Sequence, residues 1–172
     1  MGLTARALAW ADAASDAAGR VAAVLVVVLV ALVFALVLAR YGAGIGSVAA
    51  QEAVLWLHSA LFLLGLCFAL RHDAHVRVDV FSQRWSPRRR AWVEFGASLC
   101  LLLPFCVFIV AVSWDYVAAS WSLREGSRDP GGLPGWYLLK ALIPVSALLL
   151  ALQGLAGTVR AWARATAPTA DA

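Results

Sequence analysis

Apolar residues along this chain fall into four long runs, each closed by charge. Val21–Ala39 holds no polar side chain and is bracketed by Arg20 and Arg40. At about 1.5 Å per residue it rises about 29 Å, the thickness of a bilayer core, and predicts a first transmembrane helix. A second run covers about 52–70, opening at Glu52 and stopping at Arg71. A third covers about 91–113 and carries an interior Pro104 that should kink it. The fourth covers about 136–159 and contains Lys140, Pro144 and Gln153. The chain is therefore expected to be all-α, an integral membrane protein with a four-helix transmembrane domain over 20–162.

The polar stretches between these runs differ in kind. Residues 1–19 are Ala-rich and read as a short interfacial helix or a frayed tail, not a cleaved signal, because the apolar run that follows is too long. Tyr41–Gln51 is a Gly-rich turn. Residues 71–90 are dense in arginine, and Ser86-Pro87 has the cap-then-proline order of a helix start. Arg124–Lys140 is the long Gly/Pro-broken segment: Pro130 presets a turn, Gly131 and Gly132 can take positive φ, and Pro134 suits the first turn of the next helix. The last residues, 163–172, read as a mobile tail.

A hydrophobic share of 63% confirms that the runs dominate the chain, well above soluble domains. The net charge of +4 is not a nucleic-acid signature here, because the arginines flank apolar runs. With four spans both termini lie on one side. Arg6, Arg20, the arginines of 71–90, Arg160 and Arg164 fall on that side; Arg40, Arg124, Arg128 and Lys140 fall on the other. The imbalance predicts both termini in the cytoplasm and Arg124–Lys140 facing outward. Trp10, Trp85, Trp92 and Trp162 at one boundary, with Trp114, Trp121 and Trp136 at the other, fit two aromatic belts.

Candidate chemistry is sparse. Cys67, Cys100 and Cys106 lie inside apolar runs without metal or redox spacing and read as buried small hydrophobes. His58 and His72, about 21 Å apart on one helix face, would suit stacked haems, but His75 is the one other histidine, so a cytochrome-b-like redox subunit needs ligands from elsewhere. No cofactor, metal or catalytic residue is expected. Glu52, Glu94, Asp115 and Lys140 sit within about a turn of a boundary, as interfacial anchors do. Lys140 could pair with Asp115, Glu125 or Asp129, or with a partner subunit. Gln153 reads as helix–helix glue and as a candidate partner contact. In the basic loop, Arg77 with Asp79 would position a short interfacial segment or contact a neighbouring membrane protein. A stand-alone small transporter is the remaining alternative.

Two segments resemble a known family. His75-Val-Arg-Val-Asp79, followed by a proline and a basic cluster, is similar to the inner loop of the small membrane subunit, DctQ-like, of tripartite ATP-independent periplasmic (TRAP) transporters. Glu125-x-Ser127-x-Asp-Pro-Gly-Gly-Leu-Pro-x-Trp136-x-x-x-Lys140 resembles the outer loop of one branch of that family, and Ile143-Pro144 with Leu152-Gln153-Gly154 continues the likeness. The resemblance covers about 20–162. It implies a non-enzymatic scaffold subunit of a sodium-coupled importer of organic acids in the bacterial inner membrane. The implied partners are a large membrane subunit, a periplasmic substrate-binding protein and membrane lipids, with no nucleic acid. On this view Glu125, Asp129, Gly131, Gly132, Leu133, Pro134, Trp136 and Lys140 shape an outer surface for the large subunit or the binding protein, and Arg77, Asp79, Arg88, Arg89 and Arg90 hold the inner face at the headgroups.

Overall fold

The computed structural model describes residues 2–73 and 85–167; His75, Arg77 and Asp79 lie outside the described residues, as do the last five positions. The elements are α1 (Leu3–Ala43), α2 (Val48–Arg71), α3 (Pro87–Ala97), a π-helical turn (Ser98–Leu102), α4 (Leu103–Ser122) and α5 (Trp136–Thr166). Each predicted apolar run lies within one helical stretch, and 4 stretches are long and apolar enough to cross a membrane. The charge-free lengths between Arg20 and Arg40, Glu52 and Arg71, Glu94 and Asp115, and Lys140 and Arg160 each rise about 28–32 Å, one bilayer core.

Residues 3–20 are not a separate segment: they continue the first apolar run as one helix of 41 residues. The reason is visible in its least exposed positions. Ala11, Ser15, Ala18 and Ala22 are buried, and Leu25, Leu29, Leu32 and Leu36 are half-buried. That is a heptad seam, while Val24, Val27, Val30 and Phe34 stay exposed. The seam packs antiparallel on α2 across a four-residue turn, where Gly44 (φ 68°) ends α1 and Ser47 Oγ accepts from Ala50 N–H at 3.3 Å. The turn is shorter than the 41–51 expected, because both helices run into it.

Small residues in the N-terminal half of the seam let α1 approach closely. A Cβ on Gly19 would stand 2.1 Å from Phe68 Cδ2 and 2.5 Å from its Cγ. Gly19→Val is therefore expected to push the hairpin apart, destabilising it by about 1–3 kcal/mol. Gly42→Val is the control, since nothing lies within 4 Å of its Cβ position. Thermal unfolding in detergent compares the two; equal melting temperatures would remove the close approach as a determinant.

The centre of the molecule is α5. It buries Pro144, Ser146, Ala147, Leu150, Gln153, Gly154, Ala156, Thr158, Ala161 and Ala165, mostly small residues that admit neighbouring helices. The α1–α2 hairpin packs on one side of it and α3–α4 on the other, with no close backbone approach between the two pairs among the described residues. Thr158 donates to Ser98 Oγ at 2.8 Å, and Ser98 lies within 3.2 Å of the Gly154 carbonyl. The π turn also answers the expected kink. Pro104 lacks an N–H, and its ring would press on the carbonyl four residues back; the extra residue, with Leu103 N–H bonded to Ser98 O, absorbs both problems just before the proline.

At the end carrying both termini, charges knit the helices together. Asp12 accepts from Arg160 at 3.1 Å; Arg71 reaches Asp16 and the Asp12 carbonyl; His72 lies 3.3 Å from Asp16 and stacks on Phe68 at 4.3 Å. Gln153 belongs to this network. With its amide nitrogen facing Ser15 Oγ (3.0 Å) and the Ala11 carbonyl (3.2 Å), its oxygen accepts from Arg160 at 3.0 Å. The residue is 2% exposed. Its polar atoms are spent within this chain, as helix–helix glue.

Candidate functional site: the loop between α4 and α5

Residues 123–135 leave α4 through Arg124 in the left-handed region (φ 44°), with Glu125 N–H bonded to the Ser120 carbonyl at 3.1 Å. The loop then closes on itself. Ser127 N–H donates to the Leu133 carbonyl at 3.0 Å, and Gly132 N–H donates to the Asp129 carbonyl at 3.0 Å. Pro130 and Gly131 (φ 78°) occupy the two central positions of that inner turn, as a type II turn requires. Gly132 is a glycine for a different reason from the one expected. It has no positive φ; instead, a Cβ there would stand 2.2 Å from Ser127 Oγ and 2.7 Å from Glu52 Oε1. The second left-handed glycine is Gly135 (φ 88°), which caps α5, so Pro134 precedes the helix and does not begin it.

Two charged anchors hold this loop to the helices. Glu52, in the first turns of α2, is 8% exposed. One of its oxygens accepts from the Ser127 hydroxyl and the other from Leu133 N–H at 2.6 Å, so a single carboxylate grips both strands of the loop. Beside it Trp56 and Trp136 meet edge to face at 6.2 Å, joining α2 to the start of α5. The second anchor settles the partner of Lys140: its ammonium donates to Glu125, not to Asp115 or Asp129, and rests 4.2 Å from the Tyr116 ring centroid. Ser120 Oγ donates to the same Glu125 oxygen at 2.7 Å. Lys140 first, and Ser120 second, hold the Glu125 carboxyl below its ordinary value.

The residues expected to form one outer surface thus divide. Glu125, Gly132, Leu133, Trp136 and Lys140 build and fasten the loop, whereas Asp129, Gly131 and Pro134 are exposed on it. Glu52, Ser120, Tyr116 and Trp56 complete the site without having been singled out for it. Glu52 carried one usable signal, an acidic side chain at the mouth of an apolar helix, but its distance of 75 residues from Ser127 hid the bond.

At the opposite end, Arg88 Nε donates to the Ala165 carbonyl at 3.0 Å near the end of α5, where a cation suits the helix dipole. Arg89 lies 4.6 Å from the Trp85 ring centroid, and Glu94 takes both Arg90 (3.4 Å) and Arg164 (2.9 Å). Arg88 and the Glu94–Arg164 pair therefore fasten α3 to α5, whereas Arg89 and Arg90 make these contacts within residues 85–94. Between α2, the π turn and α5 a cavity of about 1240 Å³ opens at this end, bordered by Arg71, Arg160 and Arg164, which are already paired with acidic neighbours.

No curated protein and no solved structure matches the chain. The family model for tripartite ATP-independent periplasmic transporters, DctQ component, matches residues 29–164, from the middle of α1 to the last turn of α5. That span takes in both anchors and the whole loop, and it covers most of the chain. The chain therefore belongs to the DctQ family and is a small, multi-pass membrane subunit of a TRAP-type transporter, in a family of transporter components and not of enzymes.

Proposed function

We propose that this subunit braces a large membrane subunit in the bacterial inner membrane, and that the pair, fed by a periplasmic binding protein, imports an organic acid on a sodium gradient. The observation that carries the proposal is where the polar groups go. Asp12, Asp16, Glu52, Glu94 and Glu125 are each bonded to the chain's own helices or loop at one end or the other of the apolar layer. A solute or a cation crossing the bilayer needs ligands at mid-depth, and these five carboxylates are spent on the chain itself near its boundaries. The large subunit supplies those ligands on this reading.

Proteoliposomes test it. Uptake of labelled organic acid is expected with both membrane subunits, the binding protein and an inward sodium gradient. It should be absent with this chain alone; uptake by the lone chain would overturn the proposal.

On this reading the arginine imbalance puts the termini in the cytoplasm and the 123–135 loop outside. Asp129→Cys, on the exposed turn, is a suitable outside probe. In a background lacking the native cysteines, a membrane-impermeant maleimide should label Asp129→Cys in intact cells and Thr166→Cys after lysis. The opposite pattern would reverse the orientation.

A further inference from the structure

We infer that the large membrane subunit docks along one face of α2, the stripe formed by Gln51, Leu55, His58, Phe62, Gly65 and Ala69; this rests on the scaffold reading above and names its surface. These positions step by four and three residues, the spacing of a helix–helix seam. The seam has no mate in this chain. Gln51, Leu55, His58 and Phe62 are exposed, with Phe62 at 61%, and nothing lies within 4 Å of where a Gly65 Cβ would stand.

His58 decides between this face and the others. It lies about 9 Å along α2 from Glu52 and about 20 Å from Arg71, well inside the hydrocarbon layer. Among the described residues it is the one exposed histidine or charged side chain inside the charge-free lengths of the four stretches. An imidazole left against lipid tails forfeits its hydrogen bonds, and ionisable groups at this depth face protein or water. The competing faces carry no such group at that depth: α1 exposes Val27, Val30 and Phe34, all suited to lipid, and α4 exposes Leu101, Phe105, Phe108 and Val112, with the exposed Asp115 only at the boundary end of that row, where a carboxylate reaches the headgroups. Below His58, Gly65 and Ala69 leave a notch in which a second backbone can approach. The occupant is a transmembrane helix that offers the imidazole a hydroxyl, amide or carboxylate and sets a bulky apolar side chain over Gly65.

The test uses the full chain co-expressed with its large subunit. In a background lacking Cys67, Cys100 and Cys106, single cysteines at Leu55, Phe62, Val30 and Phe108 are coupled to a benzophenone maleimide and illuminated in membranes. Adducts with the large subunit should be on the order of tenfold more abundant from 55 and 62 than from 30 and 108; adducts concentrated at 30 or 108 would overturn the assignment. In mild detergent, His58→Leu and Gly65→Leu should each lower recovery of the large subunit on the order of tenfold, and His58→Gln should keep most of it. The amount and helix content of this chain should not change. Full recovery with Gly65→Leu would also refute the stripe. A wild-type chain that captures no large subunit, and whose four positions label only lipid, would bring down the scaffold reading itself.

Discussion

Glu52→Ala is expected to release the 123–135 loop while leaving the four helices assembled. The side chain accepts from Ser127 Oγ and from Leu133 N–H, groups that lie on opposite arms of the loop. Truncation leaves both donors without that acceptor beneath a surface that the carboxylate had filled, a larger loss than one deleted hydrogen bond. The helices have other ties: the α1–α2 seam, the Ser98–Thr158 contact and the Asp12–Arg160 pair all lie away from this end. Hydrogen exchange should show the Leu133 and Ser127 amides losing protection, with protease cleavage between 126 and 133 rising on the order of tenfold. Glu52→Gln should do less damage, since the amide oxygen can still accept from Leu133 N–H while the amide N–H donates to the Ser127 oxygen, leaving only the loss of charge assistance. Protection at Leu133 unchanged in both variants would show that the loop holds its shape through its own turn alone.

How far the sequence reveals these features follows from the reach of the interactions. The four apolar stretches were legible because length and charge at their ends are local properties, and so was the Pro130-Gly131 turn. The α1 seam was present in the spacing of Leu25, Leu29, Leu32 and Leu36, but a run in which every residue is apolar hides its own periodicity. Only the helix it meets shows that leucines face inward and valines outward. Residues 3–20 escaped for a related reason. Asp12, Ser15 and Asp16 look like a polar tail until Arg160, Gln153 and Arg71 are brought beside them from other helices. The same holds for Lys140, whose partner could not be chosen among Asp115, Glu125 and Asp129 without knowing where the loop turns back. Gly132 shows the opposite limit: its type reads as conformational freedom, and the cause is the Ser127 side chain, with the Glu52 carboxylate beside it.

The second large effect is expected at Lys140 and Glu125, and pH separates its two halves. Lys140→Ala removes the donor that most strongly holds Glu125 ionised and leaves that carboxylate with the Ser120 hydroxyl. The side chain of Lys140 is 13% exposed, so solvent replaces the lost contact poorly. The loop should detach from α4 and α5, and recovery of the large subunit should fall several-fold, more than the helix content of the chain alone. Because the folded-state carboxyl of Glu125 lies below its ordinary value, its contribution is fully present above the ordinary carboxylate range. It is lost as pH falls through the lowered folded value. Wild-type loop protection should therefore hold at neutral pH and decline in acid, whereas Glu125→Gln should start lower and lose this component of the decline. The exchanged pair Glu125→Lys with Lys140→Glu restores attraction across the same gap and should recover part of the neutral-pH protection that either single exchange destroys. If the single and double exchanges protect Leu133 and bind the large subunit equally, the ion pair is a bystander and Glu52 alone fastens the loop.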